Sequence, residues 1–382
     1  MIELQDIFEE FVQDYAKKYN PTPAQWRVIN DIISCRTAVL GGHIDKCEDC
    51  GEIRNSYNSC NNRHCNKCQT MKKEKWLLDR KDELLDIGYF HTVFTIPSEL
   101  NQLTLQNKKL IYTLLFKASA ETVLELASDR KHLNGQVGIT SILHTWGQNL
   151  NFHPHIHQII PGGAITSDDK WQKSRDKFLI HVKVLGKKFR GKFLYFLKQE
   201  YNNLEFFKDM KMYENPKVFE SLIDSLYQKN WIVYSKAPFK NAGSVLEYLG
   251  RYTHRIAISN NRILNFKDGC VTFKWKDYKD GSKQKVMRLT GVEFMRRILL
   301  HILPDRFMKI RHYGFLANPN KKKRLRLAQL LTGSRLLPKI REKLLVKDIM
   351  LALLGIDITK CKACGGNLVR IETARASPND KN

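Results

Sequence analysis

The chain of 382 residues contains no apolar run of the ~18–20 residues that a membrane span needs, which sets a membrane-embedded protein aside. It does not open like a secretory precursor either. MIELQDIFEEF is amphipathic and acid-rich, where a signal peptide is basic and then apolar. The expected compartment is the cytosol, whose reducing chemistry turns cysteines toward metals rather than disulfides. Acids are the scarce charge: 39 Asp and Glu stand against 64 Lys and Arg, a net charge of +25 with a pI near 9.6. An excess of that sign selects a polyanionic partner, and with the membrane set aside the partner is DNA or RNA. Internal repeats and low-complexity tracts are also missing. With 42% hydrophobic and 10% aromatic residues, the chain is long and apolar enough for two or three folded domains.

Periodicity supplies the elements. Residues 3–18, 23–35 and 70–86 read as helices, the second opened by PTPAQ with proline at its first turn. YFHTVFTIPSEL reads as a buried strand stopped by Pro97, and residues 107–132 as a long helix. GITSILHTW and HIHQIIP, joined by a short loop, read as an antiparallel hairpin. Helices are expected at KVLGKKFRGKFLYFLK, 218–228, 244–253 and 292–302, with strands at 231–235, 262–266 and 271–275. Strands and helices mixed without a strict βαβ rhythm predict an α+β fold with an antiparallel sheet. The expected division is a zinc-binding module over 1–88, a catalytic domain over 89–303 and a basic C-terminal region over 304–382.

Six of the nine cysteines lie between Cys35 and Cys68. Cys47-x2-Cys50 and Cys65-x2-Cys68 are two knuckles with fourteen residues between them. Each presents two thiolates from one tight turn, and a tetrahedral zinc takes four. Cys35 with His43 and Cys60 with His64 form two further pairs, so an interleaved arrangement joins first to third and second to fourth, with one or two structural zinc ions. Four protein ligands leave no position for water, so such zinc folds a module and does no chemistry. Arg54, Arg63 and Lys67 on that module suit phosphate contacts. A last knuckle, Cys361 and Cys364, has no Cys or His after it and must borrow ligands from elsewhere.

NFHPHIHQIIPGG places His153, His155 and His157 at alternate positions. On a strand, His155 and His157 share one face and Ile156 turns to the core on the other. Two imidazoles so placed converge on one divalent cation. His144 of the neighbouring strand is the candidate third ligand, with Gln148, His153 and His254 behind it. Two or three neutral ligands leave positions for phosphate oxygens, which suits Mg²⁺ or Mn²⁺. Exposed ligands of this kind should be replaceable without harm to the fold. Downstream, EYLGRYTHR sets Tyr248 and Tyr252 at i and i+4 of a helix, interleaved with Arg251, His254 and Arg255. A tyrosine pair at that spacing is more often core packing. Beside the histidines and cations it reads as a pair of nucleophiles.

HPHIHQIIPGG followed far downstream by YLGRYTHR resembles the HUH endonuclease superfamily, and more closely its two-tyrosine rolling-circle transposases, the insertion-sequence ninety-one family. The likeness extends through CRTAVLGGH, CEDCGE, YNSCNNRHCNKC, FHTVFTIP, KFRGKF, FKWKDY and HILPDRFMKIRHYGF. NKC stands where the family often has proline before the last knuckle cysteine. The resemblance implies that His155, His157 and His144 hold the catalytic metal and that one tyrosine attacks single-stranded DNA at a transposon end. That attack leaves a 5′-phosphotyrosine and a 3′-OH, while the second tyrosine serves the target or the other end. Residues 183–198 and 301–345, the latter with twelve Lys and Arg against two acids, would hold single-stranded DNA. Their expected contacts are Lys188, Arg190 and Arg311, with Phe189, Tyr195, Tyr313 and Phe315 for stacking. The protein is expected in the cytoplasm, on the nucleoid when acting. A rolling-circle replication initiator or a non-catalytic zinc-dependent DNA-binding protein are the alternatives.

Overall fold

Two capping boxes start the first two helices. Asp6 accepts from the Glu3 amide at 2.8 Å at the head of α1 (Leu4–Tyr19). Thr22 accepts from the Gln25 amide at 3.3 Å ahead of α2 (Pro23–Ile33), where the missing N–H of Pro23 leaves no bond unmade. The computed structural model describes residues 2–175, 179–239, 244–245, 250, 257–278, 280–336 and 345–374. A hairpin of β1 (Gly42–Cys47) and β2 (Ile53–Tyr57) follows, then α3 (Asn66–Lys81) and β3 (Tyr89–Thr95). Helices α4 (Asn101–Gln106) and α5 (Lys108–Ser128) lead through a short β4 (Gly135–Gln136) to β5 (Gly138–Trp146) and β6 (Phe152–Pro161).

After β7 (Gly163–Thr166) and β8 (Trp171–Lys173) come α6 (Val182–Gln199), α7 (Pro216–Gln228) and β9 (Val233–Phe239). A meander of β10 (Ile263–Lys267), β11 (Cys270–Asp277) and β12 (Lys283–Thr290) runs into α8 (Gly291–Leu300). The described chain closes with β13 (Ile310–Gly314), α9 (Lys321–Thr332), α10 (Val346–Leu354) and β14 (Leu368–Ala374). None of its described helices is long and apolar enough to cross a membrane.

The central sheet has the order β13-β5-β6-β3-β9, and every neighbouring pair is antiparallel. This is the α+β architecture that the strand pattern calls for. Its two faces differ. Phe90, Phe94, Leu143, Ile156 and Ile160 bury one face against α5 and α6, sharing a core with Leu115 and Phe189. The other face carries histidines at one end and Tyr89, Ile142 and Ile159 at the other, the latter covered by Val245, Phe315 and Leu325.

A second core joins α1 and α2 to the β10–β12 meander and α8. Gly291 is required there, because a Cβ at that position would collide with the Phe11 ring.

The boundary expected at 303/304 does not describe the fold. β13 pairs with β5 and forms an edge of the central sheet, while β14 pairs with β1 and completes a three-stranded sheet at the other end of the sequence. Both strands cover sheet edges whose amides and carbonyls would otherwise lack ladder partners. Residues 257–302 pack with the N-terminal helices rather than with the central sheet alone.

Candidate metal centres

The β5–β6 hairpin builds the first centre. Its turn is closed by the Gly147 amide donating to the Asn151 carbonyl at 3.0 Å, and Leu150 takes a positive φ of 64° inside it. In the ladder His144 lies directly opposite His155, and His157 lies opposite Ile142 on one side and Val93 on the other. The ring centres of His144 and His155 are 5.5 Å apart, those of His144 and His157 4.6 Å, and those of His155 and His157 4.8 Å. One ring nitrogen from each comes within 4.8 Å of the others. Ile156 is fully buried on the opposite face.

These histidines are not the exposed groups that the sequence suggests. His144, His155 and His157 retain 3%, 9% and 6% of their accessible surface. Burial pushes His155 down to about 3 and holds His157 well below the ordinary imidazole range, with His144 and His155 adding to the effect on His157. Both rings are therefore neutral at pH 7, the form in which imidazole donates a lone pair.

Hydrogen bonds fix which nitrogen donates that pair. Nδ1 of His155 lies 2.6 Å from the His153 carbonyl oxygen, which can only accept, so the proton sits on Nδ1 and Nε2 carries the lone pair. Nδ1 of His157 lies 2.9 Å from Nε2 of His91, whose ring stacks on it at 5.2 Å between centres. When His157 donates that bond, it too carries its lone pair on Nε2. A hydrogen-bonded partner of this kind sets the tautomer and orientation of an imidazole that could hold a metal. Sequence reasoning misses His91, although FHTVF sets a histidine among strand-forming residues where a buried polar group calls for a reason.

The runners-up lie outside the trio. Gln148 reaches toward the Tyr278 hydroxyl at 3.5 Å, and His153 serves through its carbonyl. Tyr248, Arg251, Tyr252, His254 and Arg255 lie outside the described residues. Their described neighbours are informative. Val245 packs with Ile142 and Ile159 on the histidine face, and Gly250 sits so close to Leu77 that a Cβ would lie 2.8 Å from its Cδ1.

The cysteines form two further centres, with a pairing other than the expected one. Cys35, Cys60, Cys65 and Cys68 make one group, and Cys47, Cys50, Cys361 and Cys364 the other. The S···S separations are 3.5–3.6 Å in the first and 3.5 and 3.8 Å in the second. A zinc–sulfur bond of about 2.3 Å gives a tetrahedral edge of about 3.8 Å, so both groups fit zinc. None of the cysteines is in a disulfide.

Cys47 and Cys50 therefore do not share a site with Cys65 and Cys68. Strand β1 carries the first knuckle roughly 16 Å from the end of the hairpin near α2, and β14 brings Cys361 and Cys364 to meet it. His43 and His64 are not ligands in either group. His43 faces Asp45 at 3.4 Å, and His64 accepts from the Leu303 amide at 3.4 Å.

The cations expected on DNA largely have protein partners. Lys188 pairs with Glu125, Arg190 donates to the Lys229 carbonyl at 2.8 Å, and Arg311 lies over the Phe116 ring at 4.5 Å. Arg54 pairs with Asp45 at 2.8 Å, and Lys67 pairs with Glu3. Phe189 and Phe315 are core residues rather than stacking platforms, and Tyr313 packs against the α5 core. Tyr195 is exposed at 57% and lines a groove between α5 and α6 with Lys183, Lys187 and Lys188.

The transposase family Y2_Tnp matches residues 138–324, and the transposase zinc-binding domain matches 7–96. The chain belongs to the insertion-sequence ninety-one family of transposases. It is 42% identical over 378 residues to y4qJ of Sinorhizobium fredii (strain NBRC 101917 / NGR234), described as a transposase, covering 97% of this chain and 95% of that one. It is 26% identical over 352 residues to the transposase for insertion sequence element IS801 of Pseudomonas savastanoi pv. phaseolicola, covering 89% and 82%. No solved structure matches the chain.

Proposed function

We propose that this transposase nicks single-stranded DNA at the ends of its element by tyrosine attack, and joins strands through 5′-phosphotyrosine intermediates. The observation that carries the reading is the trio of His144, His155 and His157, with His155 and His157 neutral and hydrogen-bonded through Nδ1, on the sheet face against which Val245 packs. Tyr248 follows Val245 by three positions in the sequence, and with Tyr252 it is the proposed nucleophile pair.

The three imidazoles would hold Mg²⁺ or Mn²⁺, which when bound supplies positive charge to a scissile phosphate. The hydroxyl of Tyr248 or Tyr252 attacks phosphorus, the P–O3′ bond breaks, and O3′ leaves as a hydroxyl. The phenol gives up one proton and the departing oxygen takes one up. One phosphodiester replaces another, so no ATP is required, and the 3′-OH later reverses the step on the new strand. The second tyrosine allows two such links to exist together. Both four-cysteine groups would hold structural zinc, two ions per chain, and Lys183, Lys187 and Tyr195 offer charge and stacking for the single strand.

The test is to incubate the protein and Mn²⁺ with a 5′- or 3′-labelled single-stranded oligonucleotide carrying the element's end. A covalent adduct to the 5′ phosphate of the 3′-labelled fragment is expected, with a free 3′-OH on the 5′-labelled fragment. A hydrolysed nick without adduct, or none at all, would refute the tyrosine mechanism.

A further inference from the structure

Two cations inside this protein differ from the rest. Lys108 also sits in a crowded place, but it donates to the carbonyls of Leu300 and Ile302 at 2.8 and 3.0 Å, at the end of α8. Arg63, in the loop between Cys60 and Cys65, and Lys309, just ahead of β13, form no side-chain hydrogen bond or ion pair among the described residues. Both line one cleft between the zinc-binding module and the central sheet, walled by Val28, His64, Trp146 and Leu303. It adjoins a wider hollow that shares Arg63 and His64 and has Arg27 and Arg306 on its rim. Among the described residues, the carboxylate lining these hollows is Asp305, which is exposed and lies 3.5 Å from Arg27.

Two like charges partly drawn out of water, with no counter-ion among the described residues, cost free energy. Burial, with Arg63 adding to it, pushes Lys309 down to about 7. An anion between them would offset that cost. Arg63 is held on one side by a loop that two zinc-cluster cysteines anchor, and Lys309 on the other by its carbonyl, which accepts from the Leu143 amide at 2.9 Å in the central sheet.

We propose that this cleft binds a phosphate of the DNA backbone, gripped by Arg63 from the zinc-binding module and Lys309 from the catalytic sheet. The inference rests on the DNA-nicking reading above and adds a fixed contact to it. The guanidinium fork spans two phosphate oxygens and the ammonium acts as a point charge on a third side. Trp146 stands in the cleft wall and stacks on His144 at 4.8 Å between ring centres. A strand held here passes beside the histidine centre. Such a contact sets the register of the DNA without reading its sequence. It also makes the zinc-binding module one jaw of the catalytic clamp.

The experiment uses the full-length, zinc-loaded protein and a fluorescent single-stranded oligonucleotide, with anisotropy titrations across a series of KCl concentrations. Lys309→Met and Arg63→Gln should each weaken binding about tenfold and lower the salt slope by about one. Lys170→Met, which removes an exposed partner of Asp168, should change neither. Lys309→Met should melt at the wild-type temperature or above it, because an unpaired charge has gone. Inorganic phosphate should raise the wild-type Tm more than chloride at equal ionic strength, and should not do so for Lys309→Met. Wild-type affinity and slope in Lys309→Met would overturn the proposal, as would a phosphate effect with no change in DNA binding. If the wild type bound no single-stranded DNA, the nicking reading would fall, and phosphate-independent melting would overturn the cleft with it.

Discussion

Cys47 and Cys364 stand 317 positions apart in the chain, and their sulfurs lie 3.5 Å apart in the fold. Cys50 and Cys361 repeat the relationship at 3.8 Å. The N-terminal hairpin and the C-terminal strand are therefore one structural unit, a sheet of β14, β1 and β2 with a four-thiolate group at its tip.

Protein purified with zinc should carry two ions per chain by elemental analysis. Cys364→Ser should reduce that to one and open residues 345–374 to limited proteolysis, while the central sheet stays folded. Cys68→Ser should also lose one zinc but lower the Tm further, since Cys68 and its neighbours belong to the core shared by α2 and the meander. A single zinc in the wild type would remove the second group as a metal site.

His91 should matter to metal binding without touching the metal. His91→Ala leaves His157 without its partner at 2.9 Å and should weaken Mn²⁺ binding by about 10–100-fold in a titration followed by Mn²⁺ electron spin resonance. His157→Ala should abolish binding altogether. It should also destabilise the fold by about 1–3 kcal/mol, because the ring is buried. Equal Mn²⁺ affinity in wild type and His91→Ala would show that the hydrogen bond does not position His157.

Phenylalanine at Tyr248 or Tyr252 removes a hydroxyl and retains the ring. Each single variant should still form some covalent DNA adduct in vitro, and each should fail to transpose, because two sequential transfers need two nucleophiles. The double variant should form no adduct. Normal transposition by Tyr248→Phe would leave Tyr252 as the sole nucleophile, and the converse result would leave Tyr248.

Acid should destabilise the fold through His301. It is buried, with Nε2 3.1 Å from the Leu150 carbonyl, and burial pushes it down to about 3. Below pH 6.5 the unfolded chain takes up a proton that the folded chain refuses until near pH 3. Stability thus rises with pH through that window, by up to about 1.4 kcal/mol per unit for one such group. His301→Gln should reduce, without abolishing, the difference between urea midpoints measured at pH 7 and pH 5, because His64, His155 and His312 are held down to about 3 as well. An unchanged difference would show that other groups carry it.

The strands with the clearest alternation are legible in the sequence. GITSILHTW and HIHQIIP form the hairpin that their pattern announces, and His144 meets His155 across it. The helices at 23–33 and 216–228 follow from Thr22 with Pro23 and from Asn215 with Pro216. Pairing over long separations is not legible. Nothing local in IRHYG or LVRIETA states which sheet edge each will cover, and the cysteine grouping depends on that choice. Phe189 and Phe315 mislead because a basic neighbourhood says little about which helix or turn face turns inward. Strand β12 lacks an apolar run, with its residues alternating between exposed and partly buried, and only its pairing with β11 reveals it.

The thiolate group that joins the two ends of the chain also sets a schedule for biosynthesis. Cys50 leaves the ribosome 311 residues before Cys361, which at ordinary translation rates is a wait of roughly 15–60 s. Through that interval the nascent hairpin has half of its ligands and an open edge. The finished site can form only once the message has been read past Cys364, so a transposase terminated before that residue is denied it.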